Sequence, residues 1–184
     1  MQPALFSIPV KTIDGQETTL AAYAGKVLLV VNVASRCGFT PQYDGLELLF
    51  ETMGDRGFAV LGFPANDFAD QEPGSNKEIK DYCRKTYNAS FPIFEKIAVT
   101  GPEKHPLYAA LTTAQPKQHG DTDDFKRRLV EFGVTPNADP ELLWNFEKFV
   151  IGRAGNVVAR FTSDTVPDHP ALVSVIDTEL RKAA

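Results

Sequence analysis

The chain has 184 residues, of which 43% are hydrophobic and 23% are charged, and its formal net charge at pH 7 is -5. This length suits one well-buried domain, residues 1–184, and is short for two. The negative charge argues against binding to nucleic acid. The N-terminus lacks the basic and apolar regions of a signal peptide, and no apolar run has transmembrane length. We therefore expect a cytoplasmic protein that acts on a small molecule or on another protein.

The first third of the chain predicts a hairpin, a buried strand and a helix. Apolar residues alternate over 6–10, and a second short segment at 17–20 follows a glycine-containing turn, which is typical of a β-hairpin. The unbroken apolar run 26–34 is typical of a parallel strand that is covered on both faces. Thr40 is interpreted as an N-cap, because apolar residues then recur at helical spacing until Gly54.

The rest of the chain continues this alternation of strands and helices. Residues 58–63 repeat the buried-strand pattern, and Ser-Asn-Lys-Glu at 75–78 predicts a capping box that opens a helix. Residues 144–151 and 156–161 predict an antiparallel hairpin, and 171–181 predict a closing amphipathic helix. Together these elements predict a thioredoxin-like α/β fold, with a central mixed sheet flanked by helices and an N-terminal β-hairpin.

A polar, proline-punctuated segment between about residues 114 and 141 interrupts this pattern. One short helix is predicted within it, at 122–132. We interpret the segment as an insertion between scaffold elements.

Cys37 is the candidate reactive residue. It lies just after the strand at 26–34 and just before a helix N-terminus, where backbone N–H groups and the helix dipole favour a thiolate. A thiolate attacks the O–O bond of a peroxide and becomes a sulfenic acid, which a second thiol can reduce through a disulfide. Arg36 either adds positive potential or points to solvent, and the alternative for Cys37 itself is an inert buried cysteine.

Residues near Cys37 exclude two related kinds of site. The motif C-x-x-T at 37–40 lacks the second cysteine of a thioredoxin C-x-x-C motif. Ala34 stands where a peroxiredoxin is expected to carry threonine. The three histidines are widely spaced and show no metal-ligand pattern, so neither a metal nor another cofactor is expected.

Four sequence blocks resemble the signature blocks of glutathione peroxidases, in the order and spacing of that family. They are NVASRCG at 32–38, LGFPAN at 61–66, QEPGS at 71–75 and WNFEKF at 144–149. The resemblance covers essentially the whole chain and is greatest to the bacterial, cysteine-containing, thioredoxin-dependent members.

The resemblance implies a catalytic tetrad of Cys37, Gln71, Trp144 and Asn145. Cys37 would be the peroxidatic residue, in the place where some animal members carry selenocysteine. The amides and the indole N–H are neutral donors that can hydrogen-bond a thiolate without titrating. Without the family, Gln71 would be interpreted as a loop amide and Trp144 as a core aromatic residue.

Cys83 has two interpretations. It shares a helical face with Ile79 and Tyr87, which is typical of a core residue. The resemblance instead implies a resolving cysteine that forms an intramolecular disulfide and is recycled by thioredoxin. Ala65 stands where many relatives carry a further cysteine, which leaves Cys83 as the available internal partner.

The predicted function is a thiol peroxidase that reduces hydrogen peroxide and organic or lipid hydroperoxides. Thioredoxin is the expected reductant, with glutathione possible, because no basic cluster can be assigned to the two carboxylates of glutathione. The alternatives are a peroxide-sensing relay to a partner protein and a binding module without chemistry. The segment at 122–132 resembles in placement a stretch that longer members use at subunit contacts, or is a solvated excursion, so the oligomeric state stays open.

Overall fold

Residues 4–183, which the computed structural model describes, contain six strands and form two sheets. A two-stranded antiparallel hairpin precedes a four-stranded mixed sheet of order β4-β3-β5-β6. In that sheet β3 is parallel to β4 and antiparallel to β5, and β5 is antiparallel to β6. The strands are β1 (Pro9–Lys11), β2 (Glu17–Thr19), β3 (Val27–Val33), β4 (Phe58–Pro64), β5 (Lys148–Ile151) and β6 (Val157–Phe161).

Five α-helices surround the sheet. They are α1 (Gln42–Met53), α2 (Asn76–Tyr87), α3 (Pro106–Ala114), α4 (Thr122–Glu131) and α5 (Pro170–Leu180). The predicted capping box of α2 is present, with Ser75 and Glu78 each bonding the other's backbone N–H. At the other end Asn88 adopts the left-handed conformation that ends the helix.

The central strand β3 separates two hydrophobic clusters. Leu29 and Val31 point into one cluster, which also contains side chains of α1, α2 and α5. Leu28 and Val30 point into the other, which contains side chains of α3. Because successive side chains of a strand point to opposite faces, a strand buried on both faces needs a continuous apolar run. The expectation for this segment is confirmed, and the fold class is as predicted.

The structure differs from the sequence expectations in several places. Residues 4–7 form a short 3-10 helix, so the first strand begins only at Pro9. Residues 144–147 are a loop, since β5 begins only at Lys148. Pro41 rather than Thr40 is the N-cap residue of α1, and it provides no side-chain hydrogen bond to the helix. Helix α3 was not predicted.

The predicted insertion carries helix α4, which ends one residue before the predicted boundary. Its N-cap is Asp121, whose carboxylate accepts the N–H of Asp124 at 3.0 Å. In the described part of the chain, no helix combines the length and apolar character needed to cross a membrane.

Candidate active site

Cys37 lies in the loop that joins β3 to α1, and only 7% of its surface is exposed. Its sulfur accepts the backbone N–H of Phe39 at 3.3 Å. The hydroxyl oxygen of Thr40 accepts the N–H of Cys37 at 3.0 Å and donates to the carbonyl of Ala34 at 2.8 Å. Thr40 therefore shapes the loop around the thiol instead of capping the helix.

The other three residues of the predicted tetrad lie beside this thiol. The side chains of Trp144 and Asn145 are close enough to Cys37 for their N–H donors to lower its pKa. Asn145 is fully buried, and its Nδ2 also donates to Oε1 of Gln71 at 3.0 Å. The structure thus brings together all four residues, with Gln71 contacting the thiol site through Asn145.

The loop that carries Trp144 and Asn145 is fastened to strand β3. Asn32 Nδ2 donates to the carbonyl of Trp144 at 3.1 Å, and the N–H of Phe146 donates to the carbonyl of Asn32 at 2.7 Å. Phe146 has a φ of 68°, a left-handed conformation that a bulky residue adopts only when its surroundings enforce it. This strained turn interrupts the predicted strand and aims Asn145 at Cys37.

A buried ion pair supports the same loop from behind. Glu147 and Arg160 are both fully buried, and Arg160 Nε donates to Glu147 Oε2 at 2.8 Å. Glu147 also accepts the N–H of Leu143 at 2.7 Å. The neighbouring Lys148 Nζ donates to the carbonyl of Phe146 at 2.7 Å, and burial lowers the pKa of Lys148 to about 7. Residues on both sides of Trp144 and Asn145 are therefore held by buried charged groups.

Opposing effects act on the pKa of Cys37. Burial raises it above the ordinary value, and this effect exceeds the lowering effects of Phe39, Trp144 and Asn145. Desolvation penalises the charged sulfur and α1 begins only at Gln42, so the thiolate expected at a helix N-terminus stays a prediction. The donors are placed to act when negative charge develops on the sulfur.

Cys83 is fully buried on α2, in the same hydrophobic cluster as Cys37. Both cysteines are free thiols. Cys83 Sγ donates to the hydroxyl of Tyr43 on α1 at 3.2 Å. Burial raises the pKa of Cys83 to about 11. In this state Cys83 is packed as a core residue, and its thiol is protonated.

An apolar groove of about 520 Å³ runs from the tetrad toward α4. Gln71 and Trp144 of the predicted tetrad line it, and so does Phe132, which is 84% exposed. Its charged lining residue is Arg128, already paired with Asp124 and Asp164. The apolar side chains of the groove are Phe39, Phe125, Leu129, Phe132, Val134 and Trp144.

Comparison with known proteins agrees with this arrangement. The family described as Glutathione peroxidase matches residues 5–112, which include Cys37, Gln71 and Cys83. The chain belongs to the glutathione peroxidase family. The expected resemblance is confirmed, and membership of this family makes the chain a thiol peroxidase that reduces hydroperoxides.

Two bacterial relatives in this glutathione peroxidase family match along most of the chain. The Thioredoxin/glutathione peroxidase BtuE of Escherichia coli is 48% identical, covering 99% of this chain and 100% of that protein. The Hydroperoxy fatty acid reductase gpx1 of Synechocystis is 44% identical, covering 91% of each.

Solved structures place this glutathione peroxidase among thioredoxin-like folds. The apo form of a protein named Trgpx is 32% identical, with a TM-score of 0.72 over 99% of each chain. A thioredoxin family thiol:disulfide interchange protein from Chlorobium tepidum has a TM-score of 0.59, covering 94% of this chain and 92% of that one. At 19% identity the second likeness concerns the fold alone.

Proposed function

We propose that Cys37 is the peroxidatic residue of this glutathione peroxidase and that Gln71, Trp144 and Asn145 form its catalytic surroundings. The supporting observation is the convergence of neutral donors on one sulfur, from the Phe39 N–H, the Trp144 indole and the Asn145 amide. Donors that cannot titrate stabilise negative charge on the sulfur without competing for its proton. Gln71 orients the Asn145 amide through their 3.0 Å hydrogen bond.

In the first step the Cys37 sulfur attacks the terminal oxygen of the hydroperoxide. An S–O bond forms, the O–O bond breaks, and the sulfur loses two electrons to the peroxide. The thiol proton ends on the departing oxygen, which leaves as water or an alcohol. The product on the protein is the sulfenic acid of Cys37.

Cys83 is the proposed resolving residue, and thioredoxin the proposed reductant. Cys83 shares a hydrophobic cluster with Cys37, but its buried place on α2 requires that helix to loosen before a disulfide can close. The relative whose name includes thioredoxin supports this choice of reductant. The groove offers little positive charge to the two carboxylates of glutathione, because Arg128 is already paired with Asp124 and Asp164. Two free cysteines suit a reducing compartment such as the cytoplasm.

Organic hydroperoxides, including lipid hydroperoxides, are the proposed substrates besides hydrogen peroxide. Gln71, Trp144 and Gly38, the residue after Cys37, line the apolar groove, so a hydrocarbon tail lying in it would hold its peroxide group near Cys37. The relative named as a hydroperoxy fatty acid reductase agrees with this substrate class.

The test is peroxide consumption by wild type, Cys37→Ser and Cys83→Ser, with the thioredoxin system and separately with glutathione and its reductase. We expect Cys37→Ser to be inactive with both, and Cys83→Ser to lose the thioredoxin-driven turnover. Activity in Cys37→Ser would refute the assignment of the nucleophile. Full turnover of Cys83→Ser with thioredoxin would show that Cys83 is a core residue and not the resolving residue. A single turnover without recycling by thioredoxin would favour the peroxide-sensing relay.

A further inference from the structure

A cleft of about 260 Å³ separates the Cys37 loop from helix α2. Ser35 and Arg36, the two residues before Cys37, line one side of it. Ile79 and Tyr82 of α2 line the other side. Ile79 lies one helical turn before Cys83, so the cleft lies between the residues that precede Cys37 and the turn of α2 that precedes Cys83.

The buried carboxylate in this cleft belongs to Glu72. Its side chain is 1% exposed, and its Oε2 has no partner at hydrogen-bond geometry among residues 4–183, although nearby Ser35 acts through its hydroxyl and its backbone N–H to lower the pKa of Glu72. A buried carboxylate used only to hold a loop would be expected to have its oxygens bonded. The mechanism proposed for the peroxide step does not use this group.

The backbone of Glu72 is held by residues outside α2. Its N–H donates to Asn66 Oδ1 at 2.9 Å, and its carbonyl accepts from Lys96 Nζ at 3.0 Å. Lys96 Nζ also bonds the carbonyl of Gly74 at 2.7 Å. When α2 loosens, these anchors keep the carboxylate beside the Cys37 loop.

The negative charge of Glu72 affects the pKa values of Cys83 and of its hydrogen-bond partner Tyr43. It contributes to raising both values. Burial in turn raises the pKa of Glu72 and makes it a stronger base than an exposed glutamate. The thiol and the carboxylate thus lie in one poorly solvated region.

We propose that Glu72 is the base that accepts the proton of Cys83 when the Cys37–Cys83 disulfide forms, with the cleft between the Cys37 loop and α2 as the site of this transfer. This inference rests on the proposed role of Cys83. The Cys83 sulfur attacks the sulfur of the Cys37 sulfenic acid, the S–O bond breaks and an S–S bond forms. The proton passes from Cys83 to Glu72 and then to the departing hydroxide, which leaves as water.

Several charged or titratable groups surround this carboxylate and affect how its ionisation depends on pH. They are Arg36 of the Cys37 loop, Tyr43 of α1, Glu78, Tyr82 and Cys83 of α2, and Lys96 of the segment after α2. Arg36 is exposed, and its charge acts on Glu72. Arg36 and Lys96 both favour the ionised carboxylate, which is the form that accepts a proton.

The test compares wild type, Glu72→Gln and the matched control Glu78→Gln after one equivalent of hydrogen peroxide. Glu78 lines the same cleft but is exposed, and glutamine can still cap α2. Samples are quenched in acid, alkylated and weighed by mass spectrometry, which separates the sulfenic acid from the disulfide. At neutral pH we expect disulfide formation to slow at least about tenfold in Glu72→Gln and to change less than about twofold in Glu78→Gln.

The pH profile separates a base from a structural support. Without Glu72 the reaction needs the free thiolate of Cys83, so below the pKa of that thiol the Glu72→Gln rate should rise about tenfold per pH unit toward that of wild type. A deficit that is constant with pH, or no deficit, would overturn the role of Glu72 while leaving Cys83 as the resolving residue. If oxidised wild type never loses the mass of two hydrogens, the proposed resolution by Cys83 fails together with this inference.

Discussion

Replacement of Arg160 by methionine should break the buried ion pair behind the active-site loop and lower the free energy of unfolding by a measurable amount. Arg160 is fully buried and bonds Glu147, and it also donates to the carbonyls of Gln115, Pro140 and Glu141 at 2.9 to 3.1 Å. Methionine keeps the apolar stem but leaves the Glu147 carboxylate without its cation. Removing one partner of a buried pair costs about 3–5 kcal/mol, and we expect a loss of this size.

The loss should depend on pH, because Glu147 can escape its buried charge by binding a proton. Burial already raises the pKa of Glu147, and removing Arg160 takes away the positive charge that opposes this. A carboxyl whose pKa is higher in the folded state stabilises it below the unfolded pKa, and this contribution is lost as pH rises through the folded value. The deficit of Arg160→Met should therefore be smaller at pH 5 than at pH 8.

The assay is urea unfolding followed by the fluorescence of Trp144, the single tryptophan of the chain. Arg127→Met is the surface control, because Arg127 pairs with exposed Asp124 and Glu131, and its unfolding curve should overlay that of wild type. A deficit below about 1 kcal/mol for Arg160→Met, or one that grows at low pH, would refute the reasoning.

Four further outcomes follow from the site. Because burial raises the pKa of Cys37, stopped-flow rates of its oxidation by hydrogen peroxide should still rise above about pH 8, and a plateau below pH 7 would contradict this. Thr40→Val removes the acceptor of the Cys37 N–H and should cost about 1–2 kcal/mol in urea unfolding, whereas an unchanged midpoint would argue against that role. Tyr43→Phe removes the hydroxyl that helps to hold Cys83 in its buried place, so disulfide formation in quenched, alkylated samples should be faster; an unchanged rate would make this contact incidental. Phe132→Asp should raise KM for cumene hydroperoxide about fivefold, equivalent to about 1 kcal/mol, with a smaller change for hydrogen peroxide, and equal changes would exclude a role in tail binding.

Local sequence patterns predicted those elements whose stability depends on neighbours in the chain. The capping box of Ser75 and Glu78 is complete within four residues, and the apolar run of β3 itself reports burial on both faces. Residues 144–147 were wrongly predicted as strand because their pattern continues into β5. The left-handed turn at Phe146 depends on Asn32, which lies more than a hundred residues earlier.

The candidate site, too, could be predicted only in part from the sequence. The resemblance named Cys37 and three residues that the structure brings together with it. The block at 71–75 includes Glu72 but indicated no role for it, because an acidic residue in a loop is ordinarily solvated. Burial of Glu72 against α2 and the contact of Tyr43 with Cys83 depend on packing between distant segments. The two charged residues at 147 and 148 were the available signal for the buried network, since they stand at the start of an apolar strand.

Residues 144–146 are hydrogen-bonded to β3, whereas helix α2 is not part of this attachment. The peroxide site can therefore stay folded while α2 opens. Cys37 follows β3 directly, and Trp144 and Phe146 are bonded to Asn32 within that strand. The backbone amide of Phe146 should therefore exchange with deuterium only when the whole protein unfolds, whereas the amides of α2 can exchange through opening of that helix alone. The enzyme can then rearrange around Cys83 in each cycle while the geometry that receives the next peroxide is kept.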